Sequence, residues 1–274
     1  MKETIKQWIK PIYNLGKQMD YSIVGSLRER GLLLNDNFRR LRSYQDRHKG
    51  QRCFLVGTGP SLTAVDLDRI AGVDGFGCNM LYKMFDQTVW RPNYYCMTDR
   101  VYARYQSQEM LTHVHVPVFT PRSTMQRMPA AGEQVIYVND IYDYRTYRPR
   151  GKMLSYCWLK ASVMLFMLEM AIYMGYEEIY LLGVDCSNTY AANGHFTGDY
   201  VKKETKSAEQ SRMERDLKQG KLTPEEMWAH NYRRNIEAYE EIKKLADRRG
   251  VRICNATRGG NLEVFPRVVL EDIV

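Results

Sequence analysis

A glycine-containing turn follows the first apolar run of the chain, residues 53–56. It consists of Gly57, Thr58, Gly59, Pro60 and Ser61. Glycines let a backbone approach a ligand closely, and the free N–H groups at the start of a following helix can bind phosphate. The turn lacks the third glycine of the Gly-x-Gly-x-x-Gly motif and the lysine of a P-loop. It therefore indicates a nucleotide site, with a purely structural turn as the alternative.

Polar residues end three further predicted strands. Asn79 follows the second strand, Thr98 and Asp99 follow the third, and Gly183 and Asp185 follow a later one. Carboxyl ends of parallel strands meet at one edge of a sheet, which is where ligands bind in open α/β folds. The first three residues are also good helix N-caps, and for Asp99 alone the cap is the favoured interpretation.

Two of the five histidines could carry proton transfer. His195 lies in a Gly-rich loop, and His230 lies at the start of a predicted helix, roughly 160° from its apolar stripe. A histidine with a pKa near neutrality can take a proton from an attacking hydroxyl. A solvent-exposed histidine without a catalytic role is the alternative for His230.

Short apolar runs alternate with helical patterns over most of the chain. The pattern predicts an α/β, Rossmann-like fold, with a mostly parallel sheet and helices on both faces. The segment 157–176 is predicted as one buried helix, because Lys160, Ser162 and Glu169 interrupt it too often for a membrane span. The predicted strands are residues 53–56, 75–78, 94–97, 116–119, 135–138, 179–182 and 251–254.

A charged insertion, residues 199–226, separates a strand end from a helix. Its position at the carboxyl edge of the sheet predicts a lid at about 186–229, with a solvated helical excursion as the alternative.

The positive charge of the chain is concentrated at its beginning. Residues 1–52 have a net charge of +7, against +8 for all 274 residues, so a nucleic-acid-binding body is not expected. Residues 1–34 can form an amphipathic helix with apolar and basic faces. This helix either contacts a membrane surface or packs on the body or on a second subunit.

The composition of the chain and the spacing of its cysteines exclude several classes of protein. With 44% hydrophobic and 26% charged residues, the chain is neither disordered nor collagen-like. The six cysteines form no Cys-x-x-Cys pair, and no cluster has metal-ligand spacing, so no metal is expected. The chain has no signal-peptide pattern at its start, and we expect a cytoplasmic protein, peripheral on the inner face of the membrane.

Three segments, residues 54–62, 76–82 and 174–185, resemble the bacterial lipooligosaccharide sialyltransferases. They also resemble a broader superfamily with archaeal 6-hydroxymethylpterin diphosphokinases and motility-associated glycosyltransferases. The resemblance covers roughly residues 52–265 and implies a division into a basic helical extension, 1–50, and a catalytic domain, 51–274.

The resemblance also implies roles for individual residues. His230 would be the general base, Tyr190 would steady the leaving phosphate, and Thr58 replaces an asparagine of the family's turn. Nucleotide contacts are implied for Gly57, Gly59, Pro60, Ser61, Asn79, Ser162, Gly183 and Asp185. From their places in the turn and at the strand end, Thr58, Thr98 and Asp99 are also expected to bind the nucleotide.

The expected activity is transfer of a sugar from a nucleotide-activated donor, a CMP-sugar, to a glycan or lipid-linked acceptor at the cell surface. No metal is needed in that case, and the resemblance suggests a homo-oligomer. The alternative is pyrophosphate transfer from ATP to a pterin alcohol, with Mg²⁺ held by Asp99 and Asp185. A third hypothesis is a non-catalytic nucleotide-binding protein of an envelope assembly.

Overall fold

The structure is a computed structural model. It describes residues 2–129, 131–142, 148–159, 162–186 and 215–274, and their side chains except those of residues 2–12, 142 and 224.

A parallel sheet of seven strands forms the centre of the protein, in the order β5-β4-β3-β2-β1-β8-β9. Two short strands, β6 and β7, pair in parallel beside it. The predicted α/β fold with a parallel sheet is confirmed. The strands are β1 Arg52–Val56, β2 Gly75–Cys78, β3 Tyr94–Cys96, β4 Val118–Pro121, β5 Val135–Val138, β6 Asp140–Tyr142, β7 Cys157–Leu159, β8 Glu178–Leu182 and β9 Arg252–Asn255.

Helices cover both faces of the sheet, because side chains alternate between the two faces along each strand. Cys53 and Leu55 pack in one apolar cluster with α2, α7 and α8, whereas Phe54 and Val56 pack in another with α3, α4 and α5. The helices are α1 Lys2–Glu29, α2 Asp36–Arg42, α3 Ala64–Arg69, α4 Arg100–Tyr105, α5 Ser107–His113, α6 Arg122–Met125, α7 Val163–Met174 and α8 Pro224–Arg249, with 3-10 helices at Leu81–Gln87 and Leu270–Asp272.

The single helix predicted for residues 157–176 is wrong in its first part. Residues Cys157–Leu159 form β7, which pairs with β6, and the helix begins only after Ser162. The Ser162 hydroxyl accepts the Met164 N–H and so caps the helix, while Gly175, with φ 90°, ends it. The segment looks like one apolar helix in the sequence because a buried strand and a buried helix lie only three residues apart.

The N-terminal helices pack on the body through the second half of α1 and through α2. Phe38 and Leu41 of α2 are buried in the apolar core. On α1, the Arg28 guanidinium donates to the Leu154 carbonyl at 3.0 Å. A Cβ on Gly25 would lie 1.8 Å from the Ser155 hydroxyl oxygen, so a glycine is needed there for helix and body to touch. The separation of residues 1–50 as a domain of its own stays a prediction.

Candidate active site

The strand order of the sheet reverses between β1 and β8. From β1 the chain adds β2, β3, β4 and β5 on one side, whereas β8 and β9 lie on the other side. Ligands of open parallel sheets bind outside the carboxyl ends of the strands at such a switch point. Here the glycine turn follows β1 and the segment 183–186 follows β8, so both turns border the same crevice.

A cavity of about 130 Å³ lies in this crevice. It brings together residues that lie far apart in the sequence and that are predicted from the sequence to bind a nucleotide. Six of the predicted nucleotide-binding residues line it: Gly57, Thr58, Gly59, Ser162, Gly183 and Asp185. Cys78, Val163, Met164, Val184, Cys186, Asn235 and Tyr239 complete the lining.

The two glycines of the turn are required by the close approach of the β8 turn. A Cβ on Gly57 would lie 2.4 Å from the Gly183 carbonyl oxygen. A Cβ on Gly59 would lie 1.7 Å from Asp185 Oδ2 and 2.7 Å from the same carbonyl. These glycines are therefore explained by the packing of the turn, as the alternative of a structural turn predicts. The contact between the two turns that requires them also forms a wall of the cavity.

Asp185 is tied to the glycine turn through Ser61. The Ser61 hydroxyl donates to Asp185 Oδ2 at 2.9 Å, and the Ser61 N–H donates to Oδ1 at 3.2 Å. Burial raises the pKa of Asp185, and the hydrogen bonds from Ser61 oppose this effect only in part. Ser61 thus acts on the site through Asp185, while neither Ser61 nor Pro60 lines the cavity.

Asn79 stands at the carboxyl end of β2 with an unusual backbone. Its φ is 46°, in the left-handed region that asparagine tolerates better than most residues. Its side-chain Oδ1 is buried and has no hydrogen-bond donor among the described residues. A buried acceptor without a partner is costly, so a ligand that supplies a donor there would be stabilised.

Thr98 and Asp99 follow β3, but neither lines the cavity. Asp99 Oδ1 accepts the N–H groups of Val101 and Tyr102 at 2.7 and 3.0 Å and so caps α4, as favoured from the sequence. Burial raises the pKa of Asp99 despite these bonds. The Thr98 carbonyl accepts the Thr124 hydroxyl at 2.9 Å. Nucleotide contacts of Thr98 and Asp99 stay a prediction.

Helix α8 contributes two residues that sequence reasoning missed. The hydroxyl of Tyr239 is hydrogen-bonded to Ser162 and Cys186, and burial raises its pKa well above the ordinary value. Asn235 lies one helical turn earlier, and its buried Oδ1 has no donor among the described residues. In the sequence Tyr239 is simply part of an apolar stripe, although the i, i+4 spacing to Asn235 could have indicated a polar position on the same face.

His230 also lies on α8, but it is exposed and does not line the cavity. Around the helix it lies about 140° from Asn235. Tyr190 and His195 lie outside the described residues, as does most of the segment predicted as a lid at 186–229. The roles of these three residues in catalysis stay predictions.

Among residues 2–129, 131–142, 148–159, 162–186 and 215–274, no three or more His, Cys, Asp or Glu side chains are grouped so as to hold a metal ion. The described helices include none that is both long and apolar enough to span a bilayer. All six cysteines are free thiols, and burial raises the pKa of Cys186 and of Cys78 to about 12.

No protein-family model matches the chain, and no curated protein is similar to it in sequence. Several solved structures are similar in fold. The MAf glycosyltransferase from Magnetospirillum magneticum AMB-1 is 13% identical with a TM-score of 0.48, over 85% of this chain and 38% of its own length. The chain thus spans well under half of that protein.

Two sialyltransferases from Campylobacter jejuni are also similar. CstII, in complex with cytidine-5'-monophosphate, is 13% identical with a TM-score of 0.43, over 80% of this chain and 85% of its own. The monofunctional α-2,3-sialyltransferase Cst-I is 14% identical with a TM-score of 0.42, over 80% of this chain and 81% of its own. One fold hosts many activities, so function has to be argued from the site itself.

Proposed function

We propose that the protein is a glycosyltransferase that moves a sugar from a nucleotide-activated donor, a CMP-sugar, to a surface-glycan acceptor. One observation carries the proposal. Six residues that the sequence assigns to the nucleotide site, through motifs resembling the donor site of sialyltransferases, come from three separate segments, residues 57–59, 162 and 183–185, and line one cavity at the switch point of the sheet. Turns after parallel strands share this edge in any open α/β sheet, so the support comes from these particular residues lining one cavity at the place where such folds bind nucleotides.

The polar groups of the site fit a nucleoside. Asn235, which lines the cavity, and Asn79, which stands at the end of β2 outside its lining, each offer a buried amide oxygen without a donor among the described residues. Ribose hydroxyls and the exocyclic amine of cytosine are donors of the kind that such oxygens need.

The proposed reaction needs one base and one stabilised leaving group. His230 takes the proton of the acceptor hydroxyl, whose oxygen attacks the anomeric carbon of the donor sugar. The bond from that carbon to the phosphate oxygen breaks, and CMP leaves with the electron pair. Tyr190 donates to the departing phosphate. An exposed His230 is accessible to an acceptor that approaches from solvent.

A nucleotide panel tests this proposal. Thermal unfolding is measured with CMP, CDP, UMP, UDP, GDP and ATP, each with and without Mg²⁺, because a ligand of the folded state raises its stability by mass action. We expect the largest shift with CMP, independent of Mg²⁺. A shift with ATP and Mg²⁺ alone would instead favour the diphosphokinase hypothesis.

We also propose that α1 contacts an anionic membrane surface. Leu15, Met19 and Ile23 are 57%, 60% and 61% exposed, and their spacing of four places them on one face of the helix. Met19 lies about 180° around the helix from Arg28, which contacts the body. The apolar face therefore points away from the body. Residues 1–52 have a net charge of +7, of which α1 itself has +2; anionic lipid attracts this charge, whereas the same segment of a second copy would repel it.

Point variants test the membrane contact better than deletion of residues 1–34, because Arg28 and Tyr21 pack on the body. We expect the triple variant L15S/M19S/I23S to bind anionic vesicles more weakly than the wild type. If the variant instead loses an oligomeric state and binds vesicles normally, α1 is an assembly helix. The proposed location is cytoplasmic, on the inner face of the membrane, in keeping with the free cysteines.

A further inference from the structure

A second cavity, of about 180 Å³, lies between α1 and the body, on the side of α1 opposite its exposed apolar face. It borders α6, which directly follows β4, so it opens at the same carboxyl edge of the sheet as the candidate active site. Three strand spacings separate β4 from β1, or roughly 14 Å. The cavity is lined by Lys17, Tyr21, Arg122, Ser123, Gln126 and Asp140.

Hydrogen-bond donors dominate this lining. Every lining residue except Asp140 carries a side-chain donor, and two of them, Lys17 and Arg122, are cations. Neither cation has an ion-pair partner among the described residues. The Ser123 hydroxyl is buried and has no partner there either.

The acidic residue of the cavity is engaged by the protein. Asp140 Oδ1 accepts the Ser123 N–H at 2.8 Å, which holds the start of α6 against β6. A further cation, Arg28, and a further acid, Asp20, stand close by: burial lowers the pKa of Arg28, the charge of Asp20 opposes this lowering, and the charge of Arg122 adds to it. Three cations, Lys17, Arg122 and Arg28, therefore stand against two acids, Asp140 and Asp20. The balance of charge around the cavity is therefore positive.

We propose that this cavity binds a phosphate group of the acceptor, as a phosphate ester or a diphosphate; this assignment of the acceptor rests on the proposed function. A guanidinium, an ammonium and a hydroxyl together form the donor set that phosphate oxygens prefer. The roughly 14 Å between β4 and β1 sets the scale of the separation, so one extended acceptor can place its phosphate here and its reacting hydroxyl at the active site. The apolar face of α1 would at the same time hold the lipid end of a lipid-linked acceptor at the membrane.

Calorimetric titration with inorganic diphosphate tests the site without any sugar donor, so the result does not depend on glycosyl transfer. We expect the wild type to bind and K17M/R122Q to lose at least about tenfold in affinity, since both cations contact the anion. Ser123→Ala, which removes one donor without changing charge, should lose severalfold. The matched control R30Q/R127Q removes two exposed cations that lie outside the cavity, one just after α1 and one just after α6, and should bind as the wild type does.

Two results would overturn the proposal: no binding of diphosphate by the wild type, or equal binding by the wild type and K17M/R122Q. Equal loss in R30Q/R127Q would also do so, because it would show an unspecific effect of net charge. Vesicles of phosphatidylcholine with and without phosphatidylglycerol identify the source of the phosphate. If K17M/R122Q lowers binding to the anionic vesicles and diphosphate competes, a lipid headgroup occupies the site, which contradicts the acceptor assignment.

Discussion

Gly59→Ala should damage both the stability of the fold and the nucleotide site. The added Cβ would lie 1.7 Å from Asp185 Oδ2 and 2.7 Å from the Gly183 carbonyl oxygen. The carboxylate can rotate away, but only by giving up its hydrogen bonds from Ser61, and the carbonyl belongs to the backbone and cannot rotate. The contact therefore strains the two turns that form the cavity.

The expected cost follows from this overlap. Overpacking of a tight contact destabilises proteins by about 1–3 kcal/mol. For a chain of this size each kcal/mol lowers Tm by about 2–4 °C. Gly132→Ala is the matched control, since no atom lies within 4 Å of its added Cβ and its φ is not positive. That variant should be unchanged or more stable by up to about 1 kcal/mol, because alanine restricts the unfolded chain.

The assay combines urea unfolding, followed by tryptophan fluorescence, with the thermal shift produced by CMP. Gly59→Ala should show a lower midpoint of unfolding and a smaller shift with CMP than Gly132→Ala. Equal stability and equal CMP shifts in the two variants would refute the close contact of the two turns and its link to the ligand.

Three further substitutions test the roles of Asp185, Arg258 and His230. Because burial raises the pKa of Asp185, its contribution to stability is present at low pH and is lost as pH rises through the raised pKa; Asp185→Asn should flatten that part of a plot of unfolding free energy against pH. Asp66 behaves in the opposite way: burial raises its pKa, but hydrogen bonds from Arg258 and Thr63 outweigh burial, so that the pKa is lowered. Arg258→Met should therefore lower the free energy of unfolding by about 1.5–3 kcal/mol at neutral pH. The loss should become smaller as pH falls through the lowered pKa, as measured by acid denaturation curves. His230→Ala should lower turnover by about 10²–10⁴-fold with little change in the Kd of CMP, and normal turnover in a steady-state assay would remove His230 as the base.

The sequence predicted the central sheet well, because its strands are buried on both faces and appear as short apolar runs. The runs 75–78 and 135–138 match the observed strands in both bounds. Strands β6 and β7 were missed, because each has only three residues and because the residues of β7 precede the apolar sequence of α7 so closely that the two were predicted as one helix.

Residues of the candidate site could be recognised in the sequence where the backbone conformation or a close contact requires a particular residue type. Gly57 and Gly59 are needed by a close approach, and this need can be read from the sequence as glycine. Tyr239 and Asn235 were missed, because their place in the cavity depends on how α8 is rotated against the sheet. Asp99 could not be assigned from the sequence, because an aspartate at a strand end can either bind a ligand or cap a helix. In the structure it caps α4.

The proposed donor site lies at the switch point between β1 and β8, where we expect a CMP-type nucleotide to bind. Hydrogen exchange of the full chain, measured by mass spectrometry with and without CMP, locates the ligand directly. We expect slower exchange in peptides that cover residues 57–62 and 183–186, with no change in the peptide that covers α6. Protection confined to other peptides, or no protection at saturating CMP, would contradict the assignment of this cavity as the donor site.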